Sequence, residues 1–255
     1  MDVVPPNRKP RKQSTRREDR SRRRGKLVSI VASASLGLAL LGLAIPRTVA
    51  AWASIETQPA LEKFWAGKAP SDAELAAGVA GLRRALVWVP SPRRLTNLAL
   101  LELEQARSRK FADPERGVLL ASAEQHLVDG LIANPADGIA WFRLAVVRQM
   151  RVGTGRAISV ALMQSLDMAP DMRLLWLPRI GMFLVYWRTL KDDELAALRS
   201  HLRTIWSADP NIRVPLLQLA QSYGELPVIS AALESDAQAK GEFGRMMSLL
   251  PKPPR

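Results

Sequence analysis

The sequence contains no cysteine, which removes disulfides, thiolate metal sites and cysteine nucleophiles together. Histidine is almost as scarce. The two present, His126 and His201, show no HExxH spacing, so neither metal nor cofactor is expected. Aromatic residues make up only 5% of the chain, and long alternating runs of β-branched residues, the mark of strands, do not occur. Acidic residues are in deficit: 37 Lys and Arg face 24 Asp and Glu. GxSxG, P-loop, GxGxxG and kinase patterns are absent, which leaves an enzyme reading without a chemical starting point.

Ala, Leu and Arg, all good helix formers, dominate what is present, and the expected fold class is all-α. The net charge of +13 is unevenly placed. Residues 1–26 hold eleven Lys or Arg against three acids, a net +8, and the remaining residues carry only +5. A nucleic-acid partner is therefore not expected, because most of the excess sits in one short stretch. That stretch has nothing to bury and is expected to be a disordered basic tail.

Leu27 to Ile45 follow, nineteen residues without a charge. At about 1.5 Å per residue they measure about 28 Å, against a bilayer core of about 30 Å. A buried helix of a soluble domain is the bland alternative. The adjoining basic cluster favours a transmembrane helix over 27–45, with the basic end retained in the cytoplasm and the rest outside it. In a bacterium this means the inner membrane, with a periplasmic domain. A signal peptide cleaved near Ala53 is the competitor, since Ala51-Trp52-Ala53 fits a small-x-small site; the apolar run is longer than the usual h-region. The twin-arginine pattern at Ser21-Arg22-Arg23 fails at Gly25 and Lys26.

Residues 46–70 read as a linker or first helix, with Trp52, Phe64 and Trp65 as anchors at the membrane surface. Ser71-Asp72-Ala73-Glu74 resembles a capping box, and Leu75, Val79, Leu82 and Leu86 keep the helical period up to Pro90. Further helices are expected over 92–110, 114–133, 137–151, 155–168, 172–190, 192–207, 212–224 and 226–250.

The body, residues 71–250, is internally self-similar. Closing prolines fall at Pro90, Pro135, Pro170 and Pro210, with Trp141, Trp176 and Leu216 six residues after the last three. Ala77, Ala123, Ala157 and Ala197 precede the four prolines by twelve or thirteen residues. Trp141, Leu144, Ala145, Ala157, Ala161 and Pro170 make the fullest unit. The pattern resembles the tetratricopeptide repeat (TPR) in a degenerate form. The central helix Leu174–Leu190 lacks the Leu-small pair, and several units run long. The resemblance implies a solenoid of helical hairpins, which holds protein partners on an extended concave surface and rarely does chemistry. Anchor and repeat together resemble the membrane-anchored TPR-like proteins of bacterial exopolysaccharide gene clusters (VpsP-type). That implies a scaffold in exopolysaccharide or O-antigen assembly or export. Secretion, division or respiratory-complex assembly would use the same layout, and a glycan-modifying enzyme lacks a locatable acid/base pair.

Arg143, Arg148, Arg151, Arg156, Arg179 and Arg188 cluster in the middle units. They read either as a solvated face or as a groove for an acidic peptide or glycan. The candidate groove residues are Arg148, Gln149, Arg179, Trp187, Arg188 and Gln221, with an exposed Phe183–Trp187 stripe as a possible partner surface.

Overall fold

The computed structural model describes residues 13–249, with side chains from Ala32 onward. Every regular element among them is helical. The longest, α1 (Gln13–Ala53), begins inside the stretch expected to be unstructured; residues 1–12 of that stretch lie outside the described residues. The helix does not stop at Pro46. Proline removes one intrahelical donor, and nearby side chains turn back onto carbonyls of the preceding turn. Arg47 Nη1 donates to Leu43 O at 2.8 Å and Thr48 Oγ1 to Ala44 O at 3.0 Å. Leu36, Leu38, Leu40, Leu41, Leu43 and Ile45 are all exposed. Among the described residues this is the helix long and apolar enough to cross a membrane. A core helix of a soluble protein would bury such side chains; this one leaves them to the surroundings.

Residues 46–70 are not a loose linker. Past the end of α1 come a 3-10 turn (Ile55–Thr57) and α2 (Gln58–Trp65). Both press against α3 (Asp72–Trp88), where Gly81 admits the end of α1 and the turn, and Gly78 admits Thr57 of the turn and Leu101. A Cβ on Gly81 would fall 2.6 Å from Ala53 O, and one on Gly78 would fall 2.8 Å from Leu101 Cδ1. Thr57 Oγ1 donates to Gly78 O at 3.2 Å, and Ala50 and Ala60 are fully buried. The apolar helix thus runs straight into the folded body. The capping box opening α3 forms as expected: Ser71 Oγ accepts from Glu74 N at 3.4 Å, and Ser71 N donates to Glu74 Oε2 at 2.8 Å. Lys63 adds an ion pair to the same carboxylate, which lowers the Glu74 carboxyl to about 2, the Lys63 and Ser71 hydrogen bonds being the main causes.

The body continues as α4 (Pro92–Ser108), α5 (Pro114–Ala133), α6 (Gly138–Val152), α7 (Arg156–Met168), α8 (Arg173–Tyr186), α9 (Asp192–Ala208), α10 (Arg213–Ser222), α11 (Leu226–Leu233) and α12 (Ala237–Leu249). From α3 to α8 each helix packs on its sequence neighbour, and further on α8 meets α10, and α9 meets α11. The expected helix over 226–250 is broken at residues 234–236. Asp236 accepts from Ala239 N at 3.0 Å, a cap that favours starting α12 over continuing α11.

One small cluster holds α2, α3 and α4 together through Ala60, Leu75, Val79, Leu82, Leu98 and Leu101. A larger core begins on the opposite face of α4 with Ala99, Leu103 and Ala106 and extends to Ala239. α4 therefore joins the part beside α1 to the rest. Close approach of α4 and α5 depends on Gly130, where a Cβ would stand 2.9 Å from Thr96 Cγ2.

The recurring Pro–Trp offset has a concrete cause. Trp141 Nε1 donates to Pro135 O at 2.8 Å, and Trp176 Nε1 donates to Pro170 O at 3.0 Å. Six residues carry the chain from the turn to the first helical turn, which brings the indole back over the proline carbonyl. The alanine register does not recur in the same way. Ala123 is buried, but Ala77 and Ala157 are exposed and Ala197 is half-buried, so these four alanines share no packing position. Ala145, Ala161, Ala220 and Ala232, by contrast, are fully buried.

Candidate partner-binding groove

A groove of about 540 Å³ opens between α6, α8 and α10. Helix α8 contributes Leu177, Pro178, Gly181, Met182 and Val185, spaced so that they share one face. Helix α10 and its end contribute Pro215, Gln218, Leu219, Ser222 and Tyr223 with the same spacing, and α6 contributes Gln149. The lining carries no formal charge. Its apolar residues give a partner area to bury, and its amides and hydroxyls can fix orientation by hydrogen bonds.

Of the expected groove residues, Gln149 lines this cavity. Arg148 lies on the neighbouring face, where Nε donates to Glu124 Oε1 at 2.9 Å and Nη1 to Ala157 O at 3.1 Å. Arg151 also pairs with Glu124, and Arg156 pairs with Glu194. Burial raises the Glu124 carboxyl, but Arg148 and Arg151 outweigh it and hold the group below its ordinary value. Hydrogen bonding to Arg156 likewise lowers Glu194. Three of the clustered arginines do converge, around the Gly153-Thr154-Gly155 turn, in a cavity of about 320 Å³ that also contains Glu124.

Arg179 is fully buried and faces no groove. Its Nη2 donates to Ser165 O at 3.0 Å, Ser165 Oγ at 3.1 Å and Ala169 O at 3.2 Å, bracing the end of α7 against α8. Among the described residues no carboxylate pairs with it, and burial lowers its guanidinium to about 10. Arg143 is similarly buried, with Nη1 on Thr96 O at 3.2 Å. Arg188 pairs with Glu225 at 3.0 Å and lies over Trp187, 5.2 Å from the ring centroid. Trp187 is half-buried against the main core, and Gln221 is half-buried on α10, its carbonyl accepting from Gly224 N at 3.0 Å. Phe183 is fully buried, so the expected Phe183–Trp187 surface stripe does not exist.

No family model matches this chain, and neither a curated protein nor a solved structure is similar to it. What it can bind is therefore read from its own surfaces.

Two buried polar centres escaped the sequence. Glu102 on α4 has no exposed surface; it accepts from Arg83 at 2.9 Å and Ser122 at 3.0 Å, and lies 2.9 Å from His126 Nδ1. These partners are nineteen to twenty-four residues away, beyond the reach of helical periodicity. His201 on α9 is buried, and its Nε2 has no partner. Burial, and then the nearby charge of Arg179, lowers it to about 4, against a smaller opposing pull from Asp171. Among the described residues no three metal-ligating side chains come together.

A second cleft, of about 950 Å³, lies where α1 leaves its apolar run. It is bounded by α1, α2, α3 and the start of α4, and includes Arg47, Arg93 and Arg94.

Proposed function

We propose that this chain is a non-catalytic scaffold of the bacterial cell envelope. In this reading α1 anchors it once in the inner membrane, the basic end stays in the cytoplasm, and the body lies in the periplasm as a TPR-like solenoid. The groove between α6, α8 and α10 then takes a segment of a protein partner. The observation that carries the proposal is the unbroken passage of an exposed apolar helix into a folded body with an uncharged groove. A flexible tether would permit any orientation; a helix whose end packs on Gly81 presents the groove at a fixed attitude to the bilayer.

Retention of the anchor is supported by the burial of Ala50 and the contact of Ala53 O with Gly81, both of which cleavage near Ala53 would disturb. An uncharged lining suits a protein segment better than an acidic glycan, whose carboxylates or phosphates would need cationic partners. The pathway we propose is exopolysaccharide or O-antigen assembly or export, resting on the resemblance drawn from anchor and repeat. Site-specific photocrosslinking from Gln218 in the full-length chain in cells tests it. Glycosyltransferase, polymerase or export components are the expected adducts. Division, secretion or respiratory components would replace the pathway, and no adduct dependent on Met182 would remove the groove's role.

A further inference from the structure

We propose that the cleft at the membrane exit binds the phosphate of an anionic lipid headgroup. This rests on the anchor reading and goes beyond it. Arg47 sits two residues past Ile45, about 3 Å beyond the end of the apolar run. The headgroup layer is about 5–7 Å deep on each side of the hydrocarbon core, so Arg47 stands within it. Arg93 and Arg94, from the first turn of α4, line the same cleft.

These arginines differ both from the carboxylate-paired ones elsewhere in the body and from Arg143 and Arg179, which are buried. Arg83, Arg84, Arg148, Arg151, Arg156 and Arg188 each have a carboxylate partner. Arg47 and Arg94 spend one donor each on backbone carbonyls, Leu43 O and Val89 O. Among the described residues neither pairs with an acid, nor does exposed Arg93. A guanidinium has five donors, so most remain available, in the fork geometry that suits phosphate. Glu62 is the one carboxylate in the lining, which leaves a net +2. Gln58, Asn97 and Ser54 add uncharged hydrogen-bonding groups, and half-exposed Trp65 supplies an amphipathic ring at the mouth. The volume, about 950 Å³, admits a whole headgroup.

A free phosphate anion has the same chemistry, and the experiment separates the two sources. The full-length chain in non-ionic detergent is titrated with short-chain phosphatidylglycerol, the matching phosphatidylcholine and inorganic phosphate, read by native mass spectrometry. Phosphatidylglycerol is expected to bind in preference to the other two. Arg47→Gln with Arg93→Gln, both exposed positions, should weaken it about 25-fold, about fivefold for each cation lost at an anionic lipid. Arg47→Lys with Arg93→Lys should recover most of the loss, and Glu62→Gln should tighten binding. Inorganic phosphate binding as tightly as the lipid overturns the lipid source; affinity unmoved by the glutamine pair overturns the site. Alkaline extraction of membranes from the same strains keeps the two readings apart. A chain that stays in the membrane yet ignores phosphatidylglycerol defeats the cleft alone, whereas a chain released by alkali defeats the anchor beneath it.

Discussion

Acidification should weaken the body through His201, by an amount that follows from its surroundings. The imidazole is buried on α9 beside the unpaired guanidinium of Arg179, and it is neutral in the fold down to about pH 4. In the unfolded chain it takes up a proton near pH 6.5. Below that value the unfolded state binds the extra proton, so stability falls as pH falls, by about 1.4 kcal/mol per unit at full slope. With folded and unfolded values of about 4 and 6.5, the contribution is close to zero at pH 7.5 and amounts to a loss of about 2 kcal/mol at pH 5. For a body of this size that corresponds to roughly 4–8 °C in Tm. Carboxylates such as Glu124 and Glu194, held low by their arginines, also lose stabilising interactions in acid, so the total pH dependence is not diagnostic. The difference between the wild-type chain and His201→Gln isolates the imidazole. Thermal unfolding of both in detergent, followed by far-ultraviolet circular dichroism, should show the gap in Tm shifting in favour of the variant as pH drops from 7.5 to 5. Parallel curves would refute the reasoning, because they would mean that His201 meets the proton equally in both states.

Other consequences concern packing. Gly81→Leu drives a side chain into the carbonyl of Ala53 and should cost about 1–3 kcal/mol of α1–α3 docking, seen as faster amide exchange over residues 50–60. Glu102→Ala removes the acceptor shared by Arg83, Ser122 and His126 and should cost about 3 kcal/mol in chemical unfolding, since two half-buried partners are left unsatisfied. Trp176→Phe deletes the bond to Pro170 O and also empties part of the buried indole site, so the loss should be about 2–3 kcal/mol.

Helical periodicity and cap chemistry made most of the body legible: α5 spans the expected 114–133, and most other boundaries shift by a residue or two. The misses have physical reasons. The expected span ended at Ile45, before Pro46, yet Arg47 and Thr48 turn back onto the preceding turn and the helix continues. Asp236 was read as an interior residue, although its carboxylate caps a new helix. The arginines looked like a ligand surface because their partners are remote: Glu124 lies 24 and 27 residues from Arg148 and Arg151, and Glu194 lies 38 from Arg156. The groove was missed, Gln149 apart, because uncharged residues leave no compositional trace. The faces Leu177–Gly181–Val185 and Pro215–Leu219–Tyr223 were available as a signal, once α8 and α10 were known to stand side by side.

The central claim is that α1 spans the membrane with its basic end inside and the body outside. The absence of cysteine gives a clean background for single-cysteine labelling in intact cells. Val118→Cys, at an exposed position on α5, should react with a membrane-impermeant maleimide in intact cells. Ser14→Cys should react only after the inner membrane is permeabilised. Labelling in the reverse order, or recovery of the Val118→Cys protein in the soluble cytoplasmic fraction, would contradict the account.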